Sequence, residues 1–472
     1  VSHLINHPCR WPVAIGTASL TTAGVAAYVA VIYQNGQVNV FEWMSVLPFT
    51  LLFTWIAFSF ALATLGFVTL SRSVDTGLPD RAPAVIKEAA SRRPPAINSV
   101  TDGIAKTTNG YGDRTAILMP IYNESPESVF AGIHAMILSL RDVDALGQFD
   151  FYLLSDTTKI DVWMREEAAW AALVDQLSAE SLMSQDDASR DFSTNTGTSP
   201  ENDLSRVGSR QVVNVHYRHR AKNVARKAGN IADFVTRWGG RYEHMIVLDA
   251  DSLMSGETMT EMVRRMKADA EIGILQVPPV PVGRWSVFAR VQQFAASVYG
   301  PLFVAGFARF AGDEGNYWGH NAIIRVDAFR DHCDLPLLKG KAPLGGEILS
   351  HDFVEAALML RAGYKVRLST DLDGSYEECP TTLADYAQRD QRWCQGNLQH
   401  SKLLISEKYR ALSRLHFGSG VMAYVASPIW MVFMLLCVAG MVCDAWVYDE
   451  NQTDLFVLPA ASMLFLRRCC CF

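Results

Sequence analysis

An α/β domain with a largely parallel sheet, held between membrane-spanning helices, is the fold class this sequence predicts. Three observations carry that reading: long uncharged runs at both ends of the chain, short apolar runs alternating with helix-like segments between them, and polar acceptors closing several of those short runs. Composition agrees, with 49% of the 472 residues hydrophobic, 19% charged and a mean hydropathy of +0.09. Those values exclude disordered, collagen-like and small disulfide-framed classes and place part of the chain in lipid. The 42 Lys and Arg against 49 Asp and Glu give a net charge of -7, so there is no basic footprint for nucleic acid, which is not an expected partner. Only Cys333, Cys379 and Cys394 of the nine cysteines lie between the early and late apolar runs. They show neither a disulfide framework nor CxxC zinc spacing, which suits a reducing compartment.

Pro12 to Tyr33 and Trp43 to Leu70 carry no charged residue, and each exceeds the roughly 20 residues that cross a bilayer's hydrocarbon. A third uncharged run extends from Gly418 to Cys443; a fourth, Leu455 to Leu466, is shorter than a span. A signal peptide does not account for the first run, whose apolar stretch is too long and is followed directly by a second span. Lys and Arg set the orientation. Gln34 to Glu42 and Asp444 to Asp454 have none, whereas Arg72, Arg81, Lys87, Arg92 and Arg93 follow span two and Lys402, Lys408, Arg410 and Arg414 precede span three. The middle of the chain is therefore expected on the cytoplasmic side, with Arg10 before span one in agreement.

Residues 71–112 read as a linker along the membrane surface. Beyond them, strands are expected at Thr115–Met119, Phe149–Leu154, Val212–Val215, Met245–Leu248 and Ile272–Val277, with helices at Pro126–Leu140, Ile160–Leu177 and Ala225–Trp238. Alternation of this kind makes a parallel sheet, whose ligands gather at the carboxyl ends of the strands. Ser178 to Arg210, rich in Ser, Asp, Asn and Thr, reads as a flexible insertion. Trp285 to Phe310 reads equally as an amphipathic interfacial helix or as a buried core helix. The expected domains are 1–70 and 418–472 for membrane segments and 113–417 for the α/β domain.

The sharpest chemical feature is Met245-Ile-Val-Leu-Asp249-Ala-Asp251-Ser252, an apolar run ending in two carboxylates one residue apart. On a strand such acids point the same way and can share a divalent cation and a diphosphate, although two solvated loop aspartates read the same. Asp156 closes FYLLSD, and Asn123 with Glu124 closes ILMPIYNE, each also suited to capping the next helix. Lys227 and Asn230 lie at the start of a helix, where an anion can bind or an ordinary basic first turn can sit. Asp352, in Ser350-His351-Asp352, either caps a helix or serves as a general base. Arg392-Trp393 offers a bidentate phosphate ligand beside an apolar face for a sugar, or a plain interfacial anchor.

In order, Asp156, Asp249-x-Asp251, Asp352 and Arg392-Trp393 resemble the D, D-x-D, D and R-W series of the processive family-2 glycosyltransferases, the group of cellulose and hyaluronan synthases. More narrowly, YNESPESVFAGI, LLSDTT, RKAGNIADF, LDADSLMSG, GNYWGHNAIIR, LSHDFVEAALMLRAGY and RDQRWCQGNLQH resemble the osmoregulated periplasmic glucan synthases of Gram-negative bacteria. The wider group usually has Q-x-x-R-W and T-E-D; this chain has Arg389 for the Gln and Ser350-His351-Asp352 before the helix. The resemblance implies a GT-A-like glycosyltransferase domain in a multi-pass inner-membrane protein, moving glucose from UDP-glucose to a β-glucan that is exported. It implies Mg²⁺ or Mn²⁺ on Asp249 and Asp251, Asp352 as base, and Arg392 on the leaving diphosphate. Donor contacts would come from Asn123, Glu124, Asp156, Lys227, Asn230 and Asp249, and acceptor contacts from Trp393 and His320. Acyl carrier protein, a periplasmic glucan biosynthesis protein and membrane lipid are the further partners it implies. Members of that branch carry a longer N-terminal region and more spans, so Leu466-Arg-Arg-Cys-Cys-Cys-Phe472 is expected to reflect a truncated or frameshifted frame. Two other classes compete: an aspartyl-phosphate phosphohydrolase with Asp249 as nucleophile and Asp251 as acid/base, disfavoured by Leu253 in its motif, and a catalytically dead sugar-nucleotide-binding protein.

Overall fold

A computed structural model of the chain describes residues 8–34, 38–75, 114–194 and 213–447. Helices α1 (Arg10–Gln34) and α2 (Val40–Asp75) come first, then β1 (Thr115–Ile121), α3 (Pro126–Asp142), β2 (Phe149–Ser155), α4 (Ile160–Thr194), β3 (Asn214–His219), α5 (Arg226–Arg237), β4 (His244–Val247) and β5 (Leu253–Met254). Next are α6 (Gly256–Ala268), β6 (Ile272–Gln276), β7 (Val280–Val282), α7 (Val287–Ala311), β8 (Ala322–Arg325), α8 (Val326–His332), α9 (His351–Arg361), β9 (Lys365–Leu368) and β10 (Ser375–Glu378). The described chain ends with α10 (Leu383–Gln399), α11 (Ser401–Leu404) and α12 (Ala411–Val447).

Seven strands form the main sheet in the order β3-β2-β1-β4-β8-β6-β9. All pair in parallel except β8, which runs antiparallel to both β4 and β6. Continuous apolar runs suit strands covered on both faces. Alternation then divides each run between two cores: Ala116, Leu118, Leu154, Met245 and Val247 pack on one side, and Ile117, Met119, Leu153, Ile246 and Leu248 on the other. Helix α3 covers the second face with Val129, Phe130, Ile133, Met136, Ile137 and Leu140, a three- and four-residue spacing behind a Pro at the first turn. A small sheet, β5-β10-β7, stands beside the first.

Two sequence expectations change. Strand β3 occupies Asn214–His219 rather than Val212–Val215, because its hydrogen bonds follow the register Asp150↔Asn214 to Ser155↔His219. Ser178 to Thr194 is helical rather than flexible insertion, prolonging α4. Around Ser178 the helix is held by bonds from Ser178 to the Val174 carbonyl and from Gln176 to Glu180, and by the Arg141–Glu180 ion pair across to α3. Residues 195–210 of that segment lie outside those described, as does Leu455 to Leu466. Strands β5, β7, β8, β9 and β10, each of two to four residues, carry too short a pattern to stand out in sequence.

Four helices among the described residues are long and apolar enough to cross a membrane: Arg10–Gln34, Val40–Arg72, Val287–Ala311 and Ala411–Asp444. Helix α7 meets α2 backbone to backbone, since a Cβ at Gly66 would lie 1.8 Å from the Leu302 carbonyl oxygen and one at Gly306 would lie 2.0 Å from that of Leu62. An ionic knot ties these helices to the α/β domain. Arg10 of α1 pairs with Glu314 at 2.9 Å and donates to the Phe310 and Ala311 carbonyls that end α7. Arg410, just before α12, pairs with the other Glu314 oxygen, also at 2.9 Å. Partners this buried depend on one another strongly, because removing one leaves charge in a poor solvent. We predict that Glu314→Gln lowers the unfolding stability of the solubilised chain by roughly 3 kcal/mol, read as a drop in its thermal transition.

Candidate active site

Strand β4 is prolonged by one bond, Leu248 N–H to the Leu118 carbonyl at 2.9 Å, and then turns. Ser252 N–H donates to the Asp249 carbonyl (3.0 Å) and Asp249 N–H to Ser252 Oγ (3.2 Å). Asp249 and Asp251 therefore stand in a turn past the strand end. Strand alternation, the geometry expected from sequence, does not apply to them because the ladder stops at Val247.

Lys227, in the first turn of α5, pairs with Asp249 Oδ1 and donates to the Gly319 carbonyl at 2.7 Å. The two residues before it, Ala225 and Arg226, have φ of 54° and 50°, a left-handed entry uncommon for residues with a Cβ. Burial opposes Asp249's charge, but Lys227, with His320 and Arg389, outweighs it and holds the carboxyl well below the usual range. Asp251 goes the other way, pushed up by burial and then by Asp249. Burial also raises Glu377, with Asp251 and Asp249 adding to it against His320 and Arg389. Glu124, an exposed residue, is pushed up to about 7, first by desolvation and further by Asp249 and Glu166.

The candidate base comes from the other side. Asp352 lies in the first turn of α9, where Ser350 Oγ donates to its Oδ1 at 3.0 Å. Gly319, at φ +91°, packs against it: a Cβ there would sit 3.6 Å from both Asp352 Cβ and Oδ2. One residue thus bridges the Lys227–Asp249 pair and Asp352, its carbonyl facing the former and its Cα the latter. His320 follows, with Nε2 3.5 Å from Glu377 and Nδ1 3.0 Å from Asn321 Oδ1. Behind Asp352, His351 Nδ1 meets Glu355 Oε1 at 2.9 Å; burial alone would lower this imidazole, but Glu355 raises it.

On α10, Arg389 lies over the Trp393 ring at 4.6 Å, as two residues four apart on a helix can. Arg392 is exposed and makes no ion pair among the described residues, and Trp393 is half exposed.

The structure thus brings together Glu124, Lys227, Asp249, Asp251, His320 and Asp352. Three expected donor residues also bond within the fold. Asp156 is clamped by Arg220 through two bonds of 2.6 Å. Asn123 Oδ1 accepts from Thr158 N–H (3.1 Å) and Lys159 N–H (3.0 Å) ahead of α4. Asn230 is buried, giving its amide to the Leu154 carbonyl (2.8 Å) and accepting from Arg218 (2.6 Å). Arg389, Glu377, Arg220 and Gly319 carry charge or shape at the site that sequence reading gave no role. Arg389 had a usable signal, its four-residue spacing to Trp393; the others had none.

A parallel sheet with one reversed strand, acids at its strand ends and apolar helices beside it define a GT-A-like glycosyltransferase domain. Residues 244–466 match the family described as glycosyl transferase family group 2. The chain is 41% identical over 434 residues to glucans biosynthesis glucosyltransferase H of Rhodopseudomonas palustris, covering 91% of this chain and 52% of that protein. Proteins of the same name from Vibrio cholerae (40% over 452 residues, 95% of this chain and 54% of theirs) and Shewanella oneidensis (39% over 444 residues, 94% and 53%) are similar. The chain spans about half the length of the curated relatives it matches. Among solved structures, the mannosyltransferase PcManGT from Pyrobaculum calidifontis, in complex with GDP-Man and Mn²⁺, is 14% identical at a TM-score of 0.48, covering 88% of this chain and 90% of that one.

The raised Glu124 carboxyl gives a pH prediction. A folded pKa of about 7 against an unfolded one near the ordinary 4.5 means the folded state holds more protons between those values, so stability falls as pH rises through that window. Glu124→Gln removes this contribution. Thermal unfolding followed from pH 5 to 7 should decline more steeply for the wild type than for the variant; parallel curves would refute the shift.

Proposed function

We propose that this chain transfers glucose from UDP-glucose to a growing β-linked glucan with inversion at the anomeric carbon, and that the product leaves through the membrane. The observation that carries this reading is the meeting at Gly319 of the Lys227–Asp249 pair with Asp352. Asp352 takes the proton from the acceptor hydroxyl as its oxygen attacks the anomeric carbon from the face opposite UDP. The bond to the diphosphate breaks, and the charge left there is met by fixed cations. Lys227 and Arg389 already face the acids, and Arg392, without an ion pair among the described residues, is available to phosphate. No second carboxylate is needed as covalent nucleophile.

A divalent cation suits the turn after β4. Among the described residues no group of three His, Cys, Asp or Glu forms a metal cage, so a cation would rest on Asp249, Asp251 and the diphosphate itself. The fit lies in burial and charge together: Asp251 is raised first by burial and then by Asp249, and a cation there would offset both. When bound, Mg²⁺ or Mn²⁺ would supply positive charge to the leaving group.

Glu124 lines the donor side of the cleft. Asn123 and Asp156 order its floor toward the uridine, while Asn230 holds the strand end beneath it. Trp393 and His320 face the acceptor sugar. The Lys and Arg flanking the spans support a cytoplasmic domain, residues 113–417, in an inner membrane, with 285–310 as an interfacial helix. Acyl carrier protein and a periplasmic glucan biosynthesis protein are the partners the resemblance supports. A phosphohydrolase using Asp249 as nucleophile would leave Asp352 and Arg389 without work, and the family match to residues 244–466 favours glycosyl transfer.

The test is incorporation of labelled glucose from UDP-glucose into polymer by membranes containing the full chain. We expect incorporation with Mg²⁺ that EDTA abolishes, and loss of at least about 100-fold in Asp352→Asn with donor binding retained. Absence of UDP-glucose binding by the wild type would sink the reading.

A further inference from the structure

Beyond the groups that face the cleft, the last turn of α10 grips the segment that carries Asp352. Gln399 is buried, its Oε1 accepting from Leu349 N–H at 2.9 Å and its Nε2 donating to the Glu347 carbonyl at 3.0 Å. His400 is fully buried, with Nε2 2.8 Å from the Ser350 carbonyl. A carbonyl can only accept, so the ring proton is on Nε2; burial lowers the imidazole's pKa, which keeps it neutral. Gly396 lets the two backbones touch, since a Cβ there would lie 2.6 Å from Ser350 N. The His400 ring is stacked on Phe353 beside Asp352, with centroids 5.4 Å apart, and on its other side meets Phe417 of α12 at 5.1 Å. These contacts hold neither substrate nor reacting atoms. They close around the backbone of Glu347 to Ser350, whose last residue bonds the Asp352 carboxylate.

From this arrangement we infer that Gln399 and His400 are positioning residues for Asp352, and that His400 ties the placement of the base to the membrane helix α12. The inference rests on the proposed role of Asp352 as base. A carboxylate that must meet a hydroxyl within hydrogen-bond reach loses rate steeply when its support shifts by about 1 Å. The amide pair of Gln399 fixes the segment's backbone, and the imidazole fixes the carbonyl of the residue whose hydroxyl holds the carboxylate. A shift of α12 against α10 would move Phe417, then the His400 ring, then Ser350. The chain thereby carries a mechanical path from a membrane helix to the base.

The experiment uses the full chain in membranes or nanodiscs. His400→Ala should lower kcat for glucose incorporation roughly 10- to 100-fold while KM for UDP-glucose stays within about twofold. His400→Gln, whose amide can donate to the same carbonyl, should recover most of that loss, and Ser401→Ala, an exposed neighbour, should leave kcat unchanged. An unchanged kcat in His400→Ala, or a loss that appears in KM or is not recovered by Gln, overturns the inference. A second arm needs no turnover: hydrogen exchange of residues 347–352 should quicken in Gln399→Ala while β1 stays protected. Equal exchange in both regions also overturns the inference. A wild type that binds no UDP-glucose defeats the functional reading, and the exchange arm still decides whether α10 fixes the segment.

Discussion

The bond from Lys227 to the Asp249 carboxylate and the Gly319 carbonyl is the contact on which the rest of the site depends. It joins three pieces distant in sequence: the entry of α5, the turn after β4 and the loop before β8. Without that ammonium, burial would push the Asp249 carboxyl up as it does Asp251, Glu377 and Glu124. One acid is therefore held charged while its neighbours are held closer to neutrality. The left-handed backbone at Ala225 and Arg226 is the local cost of aiming Lys227 inward, as expected where a functional geometry is over-determined by its surroundings.

Positioning of the second half of the site follows a different logic. Asp352 sits on α9, whose buried face, Val354 to Leu360, packs into the core under β9 and β6, so the helix is rigid by burial. Its first turn is flanked by Gly319 from one side and the end of α10 from the other. Small residues recur where backbones must approach, at Gly396, Gly66 and Gly306, and in each case a Cβ would press on a neighbouring chain segment. The same chain that shapes the cleft reaches the apolar helices, because Glu314 lies one turn of loop before Tyr317 to His320 and is bound by Arg10 and Arg410.

The sequence by itself determined the architecture of the α/β half and its chemical class. Short, largely apolar runs at Thr115, Phe149, Met245 and Ile272, alternating with helix-like segments, suit strands covered on both faces, because almost no alternating polar face remains for water. Charge-free stretches of more than a bilayer's depth, and carboxylates closing the strands, were equally plain. Those signals are local, carried by residues adjacent in the chain. Charge balance and access depend instead on residues far apart. Only the tertiary structure decided that Arg389 and Glu377 face Asp249 and Asp251, that Asp156 pairs with Arg220 and Asn230 bonds the Leu154 carbonyl, and that Ser178 to Thr194 continues a helix. Short strands such as β8 and β10 escaped for the same reason: two to four residues have too little pattern of their own and become strands because neighbours offer them hydrogen bonds.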